Sequence, residues 1–159
     1  MKKIIIIGCG FAGSSAARKL ARLKNEFEVT VIDRKKTFDF LPALPDIVGR
    51  GMKPGFLSFP IELLAEKSGF DFMNTEVKSL DLQNNFVMTG ERKINYDYIL
   101  IAAGSETNFY NNEAVKKHAY KLDSTEDAVR MLRAIDGNKY DNFIISVGGY
   151  TGVEIASNI

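Results

Sequence analysis

Gly8-Cys9-Gly10-Phe11-Ala12-Gly13 is a complete G-x-G-x-x-G, and its surroundings decide the fold. Before it stands Ile4-Ile5-Ile6-Ile7, a β-branched run with no alternation, the pattern of a strand covered on both faces. After it comes a helical stretch, and then Glu28-Val29-Thr30-Val31-Ile32, a second strand. That strand ends at Asp33, twenty positions beyond Gly13. Strand, glycine turn, helix, strand and acid at this spacing form a dinucleotide-binding βαβ unit.

Each residue type has a physical reason to be there. Gly8 permits the tight turn out of the strand, Gly10 leaves room for a pyrophosphate, and Gly13 lets the helix pack closely. The unpaired N–H groups of the helix's first turn face the phosphates, with the positive end of the helix dipole behind them, and Phe11, Ala12 and Gly13 of the motif are candidate cofactor-binding residues. Asp33 offers a carboxylate to ribose hydroxyls. The competing reading is a glycine turn in some other α/β fold, with Asp33 capping a loop.

Composition narrows the classes. The 159 residues carry 21 basic and 20 acidic side chains, a net charge of +1, and 45% apolar residues. Such a mixture builds a core and gives no reason to expect nucleic acid or an anionic membrane as partner. No apolar run approaches the roughly 18 residues of a membrane span. Met1-Lys2-Lys3 leads into a short strand rather than a long apolar stretch, so no signal peptide is expected. One cysteine excludes an internal disulfide and fits a reducing, cytoplasmic compartment.

Further along, 14–24 reads as an amphipathic helix, with Ala16, Ala17, Leu20 and Leu23 on one face. The stretch 34–59 resists regular assignment. It mixes Pro42, Pro45 and Pro54 with three glycines and with Phe38, Phe40, Leu41, Leu44, Phe56 and Phe59. It is either a functional loop or a seal for the core. Pro60 opens a short helix over 61–67, and Gly69 ends it. A strand at 70–73 precedes a small antiparallel meander over 76–82, 86–88 and 92–94. Tyr98-Ile99-Leu100-Ile101-Ala102-Ala103-Gly104 reads as another buried strand, ending in small residues that leave room for a ligand.

The chain then repeats itself. Residues 112–118 suit a short helix, and Ser124-Thr125-Glu126-Asp127 caps a longer one running to Ile135. A buried strand is expected at 143–147, and Gly148-Gly149-Tyr150-Thr151-Gly152 opens a helix at Val153. In G-x-G-x-x-G register, Gly149 and Gly152 hold the second and third places, and Val147 stands in the first. The chain ends within that helix at Ile159, before any strand carrying a second acid.

This order of features resembles the two-dinucleotide-binding-domain flavoproteins, most closely the type II NADH dehydrogenases and the sulfide:quinone oxidoreductases. The resemblance covers the whole chain. It rests on the first glycine motif, Val31-Ile32-Asp33-Arg34, Phe40-Leu41-Pro42, the stretch from Tyr96 to Asn108, and Gly148-Gly149-Tyr150-Thr151-Gly152-Val153-Glu154. It implies an α/β fold in two parts. Residues 1–109 would form a Rossmann-like FAD-binding domain, a parallel sheet plus an antiparallel β-meander. Residues 110–159 would begin an NAD(P)-binding Rossmann-like domain.

The resemblance also implies roles. Asp33 would hold the adenosine ribose, with Arg34 near the adenine and Val77 contacting it through its backbone. Pro42 would lie near the isoalloxazine, and Ala102, Ala103 and Gly104 beside the cofactor. Gly149, Thr151 and Gly152 would bind NADH or NADPH, and Glu154 would be the acid near the nicotinamide and flavin. The implied chemistry is hydride transfer from NAD(P)H to FAD and onward to an acceptor such as a quinone. Such enzymes span about two to three domain lengths. The chain therefore reads as an amino-terminal part, with any membrane attachment lying elsewhere and self-association expected through the incomplete second domain. A non-catalytic nucleotide-binding or assembly fragment is the alternative.

Two residues invite a role and are better read as structural. Cys9 lacks the partner a redox disulfide needs and suits packing. His118 falls beside Lys116 and Lys117 on a polar helix, where solvent exposure is expected. No cluster has metal-ligand spacing.

Overall fold

The computed structural model describes residues 1–90, 92–137, 142–146 and 148–158. They group into two compact units, Met1–Phe38 with Phe59–Ser105, and Asp39–Ser58 with Glu106–Ile159.

The first unit is organised by β1 (Lys2–Ile7) and β2 (Phe27–Asp33), joined by α1 (Phe11–Leu20). With β5 (Asp71–Asn74) and β9 (Tyr98–Ile101) they form a parallel sheet in the order β5-β2-β1-β9. Alternate residues of β1 serve opposite faces, as the two-residue period of a strand requires. Ile4 and Ile6 join Ala17, Val29, Val31, Ile61 and Ala65 in one core, the latter two from α3 (Ile61–Ser68). Ile5 joins Ile32, Val87 and Tyr96 in a second core. The expected isoleucine strand covered on both faces is what the structure shows: Ile5 and Ile6 are fully buried.

That second core is roofed by the meander. Its strands are β6 (Ser79–Asp81), β7 (Phe86–Thr89) and β8 (Arg92–Asn95), paired antiparallel in sequence order. The fold is thus α/β, with a parallel sheet between helices and antiparallel strands.

Three expectations need correction. First, β9 is not a buried strand: Ile101 is 60% exposed, and Tyr98 and Leu100 are exposed as well. It lies last in the sheet order, so among the described residues no strand covers its outer side. Second, 34–59 is not irregular. It holds β3 (Thr37–Asp39), α2 (Leu44–Arg50), β4 (Ser58–Pro60) and two short 3-10 turns. The prolines and glycines act as helix ends: Pro45 sits in the first turn of α2, and Gly51 closes it in a left-handed conformation at φ +64°. Third, residues 142–146 form no strand, and Phe143, Ile144 and Ile145 are exposed. A strand needs a ladder partner for its backbone groups, and among the described residues none pairs with these.

The second unit is built from helices. These are α2, α4 (Glu113–His118), α5 (Thr125–Asp136) and α6 (Tyr150–Asn158). Leu44, Ile47 and Val48 of α2 pack with Leu57, with Ala128 of α5 and with Ile155 of α6. Part of the apolar 34–59 stretch thus seals a core. The expected cap of α5 is present, with the Asp127 N–H donating to Ser124 Oγ at 3.1 Å. Asp39 reinforces that helix start by accepting from the Thr125 N–H and hydroxyl, each at 3.2 Å.

Candidate functional site

The first glycine turn is shaped by its neighbours. Gly8 has φ +97°, a conformation that favours glycine, and a Cβ there would overlap the carbonyl of Ala102. A Cβ on Gly13 would overlap the carbonyl oxygen of Gly8 and meet the Ala102 side chain at 3.4 Å. Above Gly10 there is open space. α1 starts at Gly10 with no side-chain cap, so its first turn presents backbone donors toward that space. The arrangement is a cradle that a ligand with acceptor oxygens could occupy.

Asp33 is fastened to this turn. Its Oδ2 accepts the N–H of Cys9 at 2.7 Å, and its Oδ1 accepts the N–H of Lys35 at 2.8 Å. A carboxylate oxygen has more than one acceptor site, so ribose hydroxyls could still donate to it. Cys9 is buried beside it. Burial, and then the Asp33 charge, pushes its thiol up to about 11. A neutral, buried thiol is a poor nucleophile, which bears out the packing reading.

At the far side of Asp33, Asn74 Nδ2 donates to the carbonyls of Asp33 and Arg34 at 3.0 and 3.1 Å. Beyond it opens a cavity of about 580 Å³ lined by Met73, Asn74, Thr75, Thr89 and Arg92. Sequence reading missed Asn74. The signal was its place at the carboxyl end of β5, where the register sets it opposite Asp33.

The structure therefore brings together Gly8, Gly10, Phe11, Ala12, Gly13, Asp33 and Ala102. Ala103 and Gly104 continue from the same strand end, with Gly104 at φ +73°. Phe11 meets Phe38 edge to face, ring centroids 5.0 Å apart. Arg34 is exposed, close enough to Glu76 to help, behind Lys78, hold that carboxyl below its ordinary value. The Val77 side chain packs in the core under the meander.

The remaining predicted residues lie in the second unit. Pro42 is exposed in the 3-10 turn Leu41–Ala43. The first bond of α6 runs from the Val153 N–H to the Gly149 carbonyl at 3.1 Å, so the helix begins three residues earlier than expected. Gly152 is buried, whereas Thr151 and Glu154 are exposed. Val147, the departure from the second motif, lies outside the described residues. His118 is exposed as expected. Among the described residues, no group of His, Cys, Asp and Glu could hold a metal, and no helix is long and apolar enough to cross a membrane.

Residues 2–159 match the pyridine nucleotide-disulphide oxidoreductase family. The chain belongs to this family. An external alternative NAD(P)H-ubiquinone oxidoreductase, B4, mitochondrial, of Arabidopsis thaliana is 26% identical over 99% of the chain and 31% of its own length. An NAD(P)H coenzyme A polysulfide/persulfide reductase of Pyrococcus horikoshii is 31% identical over 98% of the chain and 36% of its own length. Among solved structures, the sulfide:quinone oxidoreductase of Aquifex aeolicus superposes with a TM-score of 0.80 at 27% identity. That match covers 89% of this chain and 33% of the other. The chain thus spans about a third of the length of the relatives it matches. The family's name includes disulphide chemistry; with a single cysteine, these 159 residues form no internal disulfide.

Proposed function

We propose that this chain is the FAD-binding portion of an NAD(P)H-dependent flavoprotein oxidoreductase of the NADH dehydrogenase kind. The observation that carries the reading is the cradle: Gly8 and Gly13 locked by backbone contacts, open space above Gly10, and a carboxylate beside them. The cradle suits a pyrophosphate, and Asp33 suits the adenosine ribose. Arg34 and the Val77 backbone would serve the adenine. Ala102, Ala103 and Gly104 would border the cofactor, and Pro42 would face its isoalloxazine. Bound FAD would supply hydride acceptance from NADH or NADPH and electron delivery onward, here to a quinone. Relatives named as ubiquinone and sulfide:quinone oxidoreductases support that acceptor.

In the division we infer, residues 1–109 hold FAD and 110–159 begin the NAD(P) domain. Gly149, Thr151 and Gly152 would meet the nicotinamide nucleotide, and Glu154 would be the acid beside the reacting rings. We place the protein in the cytoplasm, with attachment to the inner face of a membrane in a longer form. Self-association is part of the proposal, supported by the exposed apolar side chains of 143–145.

The test is FAD uptake. Purified chain mixed with FAD should turn yellow and release flavin on denaturation. At about 100-fold excess over Kd, the ligand should add ~2.7 kcal/mol of stability. A colourless chain whose melting is indifferent to FAD would sink the reading. Anaerobic NADH added to the yellow chain asks about the second motif. A flavin that stays oxidised assigns this chain FAD binding without turnover, the outcome we expect for these 159 residues alone.

A further inference from the structure

We infer that Asn74 is a positioning residue for the Asp33 carboxylate, and through it for the adenosine ribose. The second half of this inference rests on the FAD reading above. β5 runs parallel to β2 and sets Asn74 opposite Asp33 where both strands end. The Asn74 amide donates to the carbonyls of Asp33 and Arg34, at 3.0 and 3.1 Å. The neighbouring Thr75 N–H also donates to the Asp33 carbonyl, at 3.1 Å. Both acceptors of the Asn74 side chain are carbonyl oxygens, so only its NH2 can serve, and the amide's orientation is fixed by chemistry.

This clamp acts on the peptides that follow Asp33. Those peptides place the Lys35 N–H, which holds Asp33 Oδ1 at 2.8 Å. The other oxygen is held by the Cys9 N–H at 2.7 Å. One carboxylate is therefore fixed from the glycine turn and from its own loop, and Asn74 is what makes the loop side rigid. Removing it would take one donor from each of the two carbonyls, leaving that of Asp33 to the Thr75 N–H, and let the Lys35 amide swing. A binding carboxylate must stay within about 0.5 Å of its productive place. Asn74 is exposed and belongs to none of the apolar cores, so packing does not account for it.

The test compares the whole chain with N74A and N74D. The second variant keeps the shape but has only acceptors to offer the two carbonyls. Each protein is titrated with FAD and with an FAD analogue lacking the adenosine ribose hydroxyls. The wild-type chain should prefer FAD by about tenfold, the scale of hydrogen bonds to a charged group. In both variants that preference should fall below about twofold. Without cofactor, the Cys9 and Lys35 amides should exchange hydrogen about tenfold faster in the variants, while Ile6 and Val31 exchange as before.

The outcomes separate cleanly. A wild-type chain that takes up no FAD defeats the FAD reading, and amide exchange still decides whether Asn74 holds Asp33. A wild-type preference retained in N74D overturns the inference and leaves the FAD reading standing. Loss of protection at Ile6 and Val31 as well would make Asn74 a general structural residue, which also overturns it.

Discussion

The two glycine turns share a pattern but differ in what demands their glycines. In the first, the folded chain itself requires two of the three: side chains at Gly8 and Gly13 would run into backbone, whereas Gly10 faces open space. In the second, a Cβ on Gly148 or Gly149 would meet nothing within 4 Å among the described residues. The first turn is explained by its own packing at Gly8 and Gly13. In the other, Gly148 and Gly149, like Gly10 of the first, are not called for by packing among the described residues, so their type can answer to something outside the packing. A bound nucleotide is such a thing, and this supports the reading of 148–152 as a second nucleotide turn.

The sharpest way to break that comparison is Gly13→Ala. The added carbon falls on the Gly8 carbonyl oxygen, backbone that cannot turn aside. We expect a loss of about 3 kcal/mol, at the upper end of overpacking costs, read from denaturant unfolding. FAD uptake should vanish with it. A variant as stable as the parent would mean that the close helix–strand approach is not fixed by this glycine.

Next in size is Asp33→Ala. It strips the acceptor from the Cys9 and Lys35 amides. Hydrogen bonds to a charged group are worth about 1.5 kcal/mol each at the low end, and Asp33 is only part-buried, so we expect about that much in total. FAD affinity should fall at least tenfold under the proposed function. A stability loss without an affinity loss would confine Asp33 to holding the turn, which is the loop-capping alternative raised by the sequence.

How much of this was legible follows from where the information lies. The first βαβ unit is local: glycines, apolar runs and one acid at fixed spacing, each with its own steric or electrostatic reason. It could be read, down to Asp33. The partners of Asp33 could not all be read, because Asn74 lies forty-one positions away and its role depends on strand register. The exposure of β9 was hidden for a related reason. Tyr98-Ile99-Leu100-Ile101 has the composition of a buried strand, but burial depends on what covers a strand, and its place at the sheet edge is not written in its residues. In 34–59 the prolines looked like breaks because their positions relative to helix ends were unknown. Once Pro45 lies in a first turn, it is a helix starter.

The unit holding the second turn can be probed at a smaller scale. Ser124→Ala removes the oxygen that accepts the Asp127 N–H at the start of α5. A lost cap costs about 1 kcal/mol. Asp39 still meets the Thr125 N–H and hydroxyl, so the effect should be no greater, and Asp39→Ala combined with it should cost more than either alone. If the second unit unfolds separately, only its own transition should move.

Acid should act on the same unit. Burial alone would raise the Asp123 carboxyl, but hydrogen bonds from Thr107 and Lys121 outweigh it and hold the group below its ordinary value. A lowered folded value means the stabilisation is complete above the unfolded value, about 3.9, and disappears as pH falls through the folded one. Lys121 is shifted the other way, chiefly by its hydrogen bond to Asp123. Its share is complete below about 10.4 and is lost as pH rises through its folded value. Thermal melts of Asp123→Asn should therefore lose the acid-side slope due to this group and part of the alkaline one. Because both groups are partly exposed, the slopes should be shallow and should flatten further in high salt.

The smallest effect expected is also the one that completes the comparison. Gly149→Ala adds a carbon into open space at the start of α6, and φ there is not in the left-handed region. Surface changes of this kind stay within about 0.5 kcal/mol. Unfolding should therefore be unchanged, in contrast to Gly13→Ala. The same variant in a protein spanning the full length of its relatives should weaken NADH binding, because a methyl group would then stand where the pyrophosphate approaches. Silent in folding and harmful in binding is the signature of a glycine kept for a ligand. If Gly149→Ala instead unfolds the chain, the glycine is demanded by packing after all, and the distinction between the two turns disappears.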